Sequence, residues 1–343
     1  MPTRRAGAVA LCALLAAPIS AHAQPFPPIE LVDLFGVRTL DEQAVRAALP
    51  FREGDTIEGD EDRTAIERDV IAKLGIAAVS FALVCCTDNL GSILYVGIAE
   101  QPGTGVAYRP TLAGDVELPP EVLAVDEALS AALMNAIAAG NAGEDRSQGH
   151  SLAHDPAMRA QQERLLRFAR EDPELYARVL RESANAKHRA IAATVVGYAA
   201  DKAWAARELE AAAFDADGGV RNNAVRALAL IGAYGREHPD AGIEIDYTRF
   251  VELLNSLEQT DRNKGLALLG FGAGAPSPRL LAALEERALP SLIEMCRWRN
   301  DGHAQPACFL LAHVVGMPAL TERALAARAQ LVAAGRVLAA ASP

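Results

Sequence analysis

The stretch FDADGGVRNNAVRALALIGAYG, residues 214–235, constrains the fold more than any other, because versions of it recur. Aligning Arg221 with Arg189 of KHRAIAATVVGYAAD (187–201) sets Ala224 on Ala192 and Ala227-Leu228 on Val195-Val196. DRNKGLALLGFG (261–272) fits the same register through Arg262, Gly265 and Leu268-Leu269. HAQPACFLLAHVVG (303–316) fits through Ala307 and Leu310-Leu311 but lacks the Arg. The small residue three places after the Arg lets helices approach, and the apolar pair one turn later fills a core. From Arg189 to Arg221 is 32 residues and from Arg221 to Arg262 is 41. Self-similarity at such a period predicts stacked helical units, each unable to bury its apolar face alone. Ala and Leu dominate from about Leu123 onward, and both lose little on entering a helix.

This pattern resembles HEAT repeats, specifically the short bacterial kind related to phycobilin-lyase repeats, across residues 155–340. The resemblance implies an α-solenoid in which Asp215 or Asp217 and Arg221 make hydrogen bonds within and between units. Arg189 and Arg262 hold the equivalent place, so all three arginines are expected to stabilise the array rather than to touch a ligand.

Residues 29–100 have a different grammar. IELVDLFGV alternates as a strand. Thr39 and Glu42 in TLDE form a capping-box pair before the helix DEQAVRAAL, which Pro50 and Gly54 break. DRTAIERDVIAKLG is a second helix, with Ile66, Val70, Ile71 and Leu74 on one face and Gly75 as its stop. AAVSFALVCC and SILYVGIAE read as a hairpin around TDNLG. The order is β-α-α-β-β. With Gly36, Arg38, Val45, Leu49, Gly54, Asp55, Leu74, Gly75 and Glu100, the segment resembles a polypeptide-transport-associated (POTRA) domain. That resemblance implies an envelope module that grips polypeptides, often by adding a strand to its sheet edge. An outer-membrane barrel usually follows in that family. Here no train of alternating ten-residue strands follows, which leaves polypeptide binding as the expectation. Residues 101–154 read as a linker, rich in Pro and Gly over 101–120, with one helix at 121–139 and a break at GNAGEDRSQGH.

The first 23 residues read as a leader. A basic MPTRR precedes the apolar AGAVALCALLAAPIS, and AHA ahead of Gln24 is a small-x-small cleavage site. Cys12 lies inside the apolar core rather than closing it, unlike a lipid-attachment site. A periplasmic or secreted location is expected, with cleavage after Ala23 and no membrane span in the mature chain. Loss of Arg4 and Arg5 moves the formal charge from −11 to −13. Phosphate backbones repel so acidic a chain, so nucleic-acid binding is not expected.

Candidate chemistry is sparse. His150 and His154 are four apart with Asp155 adjacent, a spacing that on a helix could present two rings to a metal. No Glu follows the first His as a zincin needs, and Asp155 also suits a helix cap. Cys296, His303, Cys308 and His313 lack zinc-knuckle spacing. Exported cysteines meet oxidising conditions, so a Cys296–Cys308 bridge between neighbouring helices is a candidate; the alternative is that Cys85, Cys86, Cys296 and Cys308 are small buried hydrophobes. Adjacent cysteines such as Cys85 and Cys86 pair rarely. Arg297 and Trp298 are residue types enriched at binding hot spots, with helix-end packing the competing role for Trp298. FGAGAPS (271–277) lacks the Lys of a phosphate loop, and EGDTIEGDED (53–62) lacks EF-hand spacing.

The expectation is a mostly α protein: a HEAT-like α-solenoid preceded by a small α+β, POTRA-like domain. Its expected function is that of a non-enzymatic envelope scaffold without a cofactor, binding a protein or peptide. The alternatives are a metal-dependent enzyme or metal-binding protein using His150, His154 and Asp155, and an accessory factor of an outer-membrane or secretion assembly.

Overall fold

The computed structural model describes residues 27–341, apart from 58–60, 88 and 104. The leader expected at 1–23 lies outside the described residues. In chain order come β1 (Ile29–Phe35), α1 (Glu42–Ala48), α2 (Arg63–Leu74), β2 (Ala78–Cys85) and β3 (Ser92–Ala99). Then follow α3 (Pro120–Ala138), the short strands β4 (Glu144–Asp145) and β5 (Leu152–Ala153), α4 (Pro156–Glu171), α5 (Pro173–Glu182), α6 (Ala186–Gly197), α7 (Lys202–Ala212) and α8 (Gly218–Glu237). A 3₁₀ segment, Tyr247–Asn255, leads into α9 (Gln259–Ala267), α10 (Pro278–Cys296), α11 (Asp301–Val314) and α12 (Arg328–Ala341). The protein is mostly helical, with a small mixed three-stranded sheet.

Two compact units form. Unit 1 comprises 108–245 with 271–274; unit 2 comprises the described residues up to 107 with 246–270 and the segment from 275 onward. Residues 155–340, read from sequence as one array, therefore fall in both units, and the 29–100 segment shares a unit with the C-terminal helices.

Unit 2 is built around β3. The sheet order is β1-β3-β2, with β1 parallel and β2 antiparallel to β3. Every residue of SILYVGIA in β3 is buried, as a strand covered on both faces requires. Leu94, Val96 and Ile98 join Val45 of α1 and Val70 of α2 in one core. The alternate residues face the C-terminal helices: the Tyr95 ring lies 4.8 Å from Trp298 and 5.5 Å from His303. Gly97 permits this second layer, since a Cβ there would meet the Leu257 carbonyl oxygen at 2.3 Å.

The sequence placed a Thr39–Glu42 capping box at α1; the structure corrects it. Asp41 is the cap, accepting from Ala44 N, while Thr39 donates its hydroxyl and its N–H to Glu100. Burial works to raise the Glu100 pKa, but bonds from Thr39, Leu40 and Arg38 pull it down to about 2. Glu100 thus ties the β1–α1 turn to the end of β3. Gly36, with φ +85°, starts that turn where a Cβ would collide with the Ile98 carbonyl oxygen.

Unit 1 consists of helices α3 to α8 with the β4–β5 ribbon. Asp155, Asp172, Asn185, Asp201 and Asp217 open α4 through α8, each accepting a first-turn backbone N–H. Helix α5 packs on α6 and α7 on α8, and α6 packs on α8 in turn.

Candidate functional site

The repeated arginines share one local geometry. Arg189 Nη1 donates to the carbonyls of Ser183 and Ala184, Arg221 Nη1 to Asp215 and Ala216, and Arg262 Nη1 to Ser256 and Leu257. Each bond reaches back six or five residues, closing the turn that precedes the helix. The side chain six places before each Arg caps that turn: Ser183 Oγ, Asp215 Oδ1 and Ser256 Oγ accept from the N–H groups of Asn185, Asp217 and Glu258. Outward of the turn the three differ. Arg189 makes a paired contact to Asp215 (2.7 and 3.0 Å), which also receives Arg109 at 2.6 Å. Arg221 lies 3.8 Å from the Tyr108 ring centre, and Arg262 lies 4.0 Å from Phe35 and 5.5 Å from Trp298. All three arginines are buried.

The histidine candidates separate. Asp155 spends its carboxylate on Ala157 N and Met158 N, and His154 is exposed. His150 Nδ1 faces the Lys202 ammonium at 3.2 Å, so a positive charge stands where a metal would approach. Burial and the Lys202 charge push the His150 pKa down to about 4, and burial takes Lys202 down to about 8. Among the described residues no group of three His, Cys, Asp or Glu side chains is placed to hold a metal ion. Cys296 and Cys308 are bonded to each other, with Cα atoms 4.7 Å apart. His303 is buried against the Tyr95 hydroxyl. Cys85 and Cys86 are also joined to each other, across a cis peptide.

Of the two roles open to Trp298, a binding patch with Arg297 or helix-end packing, the structure shows packing: it is 3% exposed and donates Nε1–H to the Leu34 carbonyl. The apolar bulk that makes Trp a hot-spot residue here serves the packing of β1 beside the end of α10. Arg297 alone of the two is exposed.

Sequence reading missed a partly open pocket in unit 1. Helix α3 contributes Asp126, Leu129, Ser130 and Leu133, and α4 contributes Met158 and Gln162. Tyr198 follows α6, and Asn222, Arg226 and Leu230 come from α8. Glu144 and His150 close one side. Most polar groups are already committed. Tyr198 donates to the Ser151 carbonyl (2.7 Å), Gln162 accepts from Ala153 N (2.6 Å), and Glu144 pairs with Arg226 (2.5 Å) and Arg146 (3.1 Å). No short spacing joins residues from four helices, so only His150 carried a signal in the sequence.

A second candidate is the sheet edge of unit 2. The outer side of β1 is engaged: Ile29 N bonds Asp55 O, Gly54 N bonds Ile29 O, and Arg46 and Arg299 both donate to Val32 O. The outer side of β2 pairs with no strand among the described residues. Compared with known proteins, the chain matches no family model, no curated protein and no solved structure.

Proposed function

We propose that the protein is a non-enzymatic interaction scaffold of the cell envelope, holding an extended polypeptide along β2 and a protein partner on its helical surface. The observation that carries this reading is the edge of β2. Burial of β3 on both faces and engagement of β1 leave β2 as the strand whose outer backbone groups find no strand partner among the described residues. An extended peptide gains main-chain hydrogen bonds by joining such an edge. The leader-like residues 1–23 and the Cys296–Cys308 bridge suit an oxidising envelope compartment. The helical stacks, with their recurring turn-closing arginines, are taken as HEAT-like solenoid segments. The same edge would serve an accessory factor of an outer-membrane or secretion assembly.

The test is in-cell crosslinking from a photoreactive residue at Ala82 on β2, with Arg323 as the comparison position. A recurring polypeptide captured at Ala82, not at Arg323, and lost when Leu83→Pro blocks strand pairing, is the expected result. Equal capture at both positions, or none at Ala82, removes the reading.

A further inference from the structure

We propose that the unit 1 pocket binds an organic cation with an apolar body, an alkylammonium group being the simplest form, with Asp126 receiving the charged head. This site is separate from the β2 edge and stands without it. The argument rests on which lining groups are spoken for. Tyr198, Gln162 and His150 are held by internal hydrogen bonds, and Glu144 is neutralised by Arg226 and Arg146. Asp126 is the one charged lining group among the described residues without such a partner. It lines the pocket, yet no side chain or backbone group among the described residues hydrogen-bonds its carboxylate. Lys187 acts on it only as a nearby charge, and Lys187 is itself paired with Glu127 at 3.6 Å.

The rest of the wall fits a hydrocarbon. Leu129 and Leu133 continue from Asp126 along one face of α3, and Met158, Ala227 and Leu230 face the same space. The stripe leaves the pocket through Ile137, one turn beyond Leu133, which is partly exposed for a large apolar residue at 38%. A carboxylate at one end of an apolar track selects against anions and rewards a donor head with a charge-assisted bond. Burial holds the Asp126 carboxyl above its ordinary value, as expected of a carboxylate awaiting a countercharge. The head could belong to a free amine or to a lysine side chain of a polypeptide; both present the same ammonium on a methylene chain.

The experiment is a methyl-NMR titration of the full chain with hexylammonium, hexanol and hexanoate. Saturable shifts at Leu129, Leu133, Met158 and Leu230, with hexylammonium at about millimolar affinity, are expected. Hexanol should bind about tenfold more weakly or worse, for want of the charge-assisted bond. Asp126→Asn should erase the preference for the cation while leaving the methyl spectrum otherwise intact, because Asp126 holds no other group in place. Ser130→Phe, which sets a ring into the lining of the pocket, should abolish binding of both. A short acetylated peptide with one lysine between leucines separates the sources: affinity tenfold above hexylammonium assigns a polypeptide, and weaker affinity assigns a free amine. The proposal is overturned if hexanoate binds as tightly as hexylammonium, if Asp126→Asn leaves the cation preference unchanged, or if no pocket methyl shifts saturably.

Discussion

Arg189 in unit 1 and Arg262 in unit 2 occupy the same place in the repeat and solve the same problem differently. Both close the preceding turn through two carbonyls. Beyond that turn, Arg189 meets a carboxylate, Asp215, whereas Arg262 lies against the Phe35 and Trp298 rings, with its Nε and Nη2 atoms finding no hydrogen-bond partner among the described residues. Burial lowers the Arg262 pKa to about 10, and Glu294, Asp261 and Glu258 work against that fall, so it remains a cation at neutral pH. The repeat therefore specifies the inner half of the guanidinium contact. The outer half is supplied by whatever packs alongside.

The largest effect should come from Asp215. It serves Arg189, Arg109 and the N–H of Asp217 from a position 1% exposed. Asp215→Ala strands two guanidinium groups and should cost about 3–5 kcal/mol in urea denaturation. A loss under about 1 kcal/mol would mean that the carboxylate network is not what holds unit 1.

The paired substitutions Arg189→Met and Arg262→Met sharpen the contrast. Arg189→Met removes a buried ion pair and two carbonyl bonds, and about 3 kcal/mol of stability should go with them. Arg262→Met loses the same two carbonyl bonds but keeps an apolar, polarizable contact with the rings, so about 1–2 kcal/mol is expected. Equal costs, or the reverse order, would break the comparison.

A third effect, of the same order as the arginine substitutions, is acid sensitivity. Burial, with the Lys264 charge added, lowers the His303 pKa to about 4. The folded state thus takes up this proton less readily than the unfolded chain, whose histidine titrates near 6.5. Stability from this residue is full above about pH 6.5 and is lost as pH falls toward 4, by about 2–3 kcal/mol. His303→Gln should flatten that slope, read as hydrogen exchange in α11 across pH 4–7. His150 in unit 1 follows the same direction but is less buried, so α6 should lose less protection over the same window.

The β-α-α-β-β order, the hairpin, Gly75 as the stop of α2 and the helix near 121–139 could all be read from local pattern, because each rests on neighbours within a turn or two. The arginine register was legible for the same reason: its bonds reach five or six residues back. What escaped reading is long-range. Tyr95 and Gly97 on β3 look like ordinary strand residues, and nothing nearby announces that residues 160 to 208 positions later cover them. Trp298 could be a surface anchor or a packing residue on sequence grounds, because its partner, Leu34 O, lies 264 residues away. The pocket was hidden by the same distance, with Asp126 and Arg226 on helices separated by four others.

The division of unit 2 between the two ends of the chain has a consequence for the order of folding. The sheet emerges early in synthesis, but the residues that shield Tyr95 and Gly97 follow only after residues 108–245 of unit 1 have been made. Until then one face of β3 is apolar and open to water, beside an unpaired strand edge, the combination most prone to adhere to other nascent chains. Closing so long a loop also slows the final step. A cell making this protein must keep its N-terminal sheet from wrong partners for roughly the time needed to add a further 160 to 208 residues, at about 5–20 residues per second.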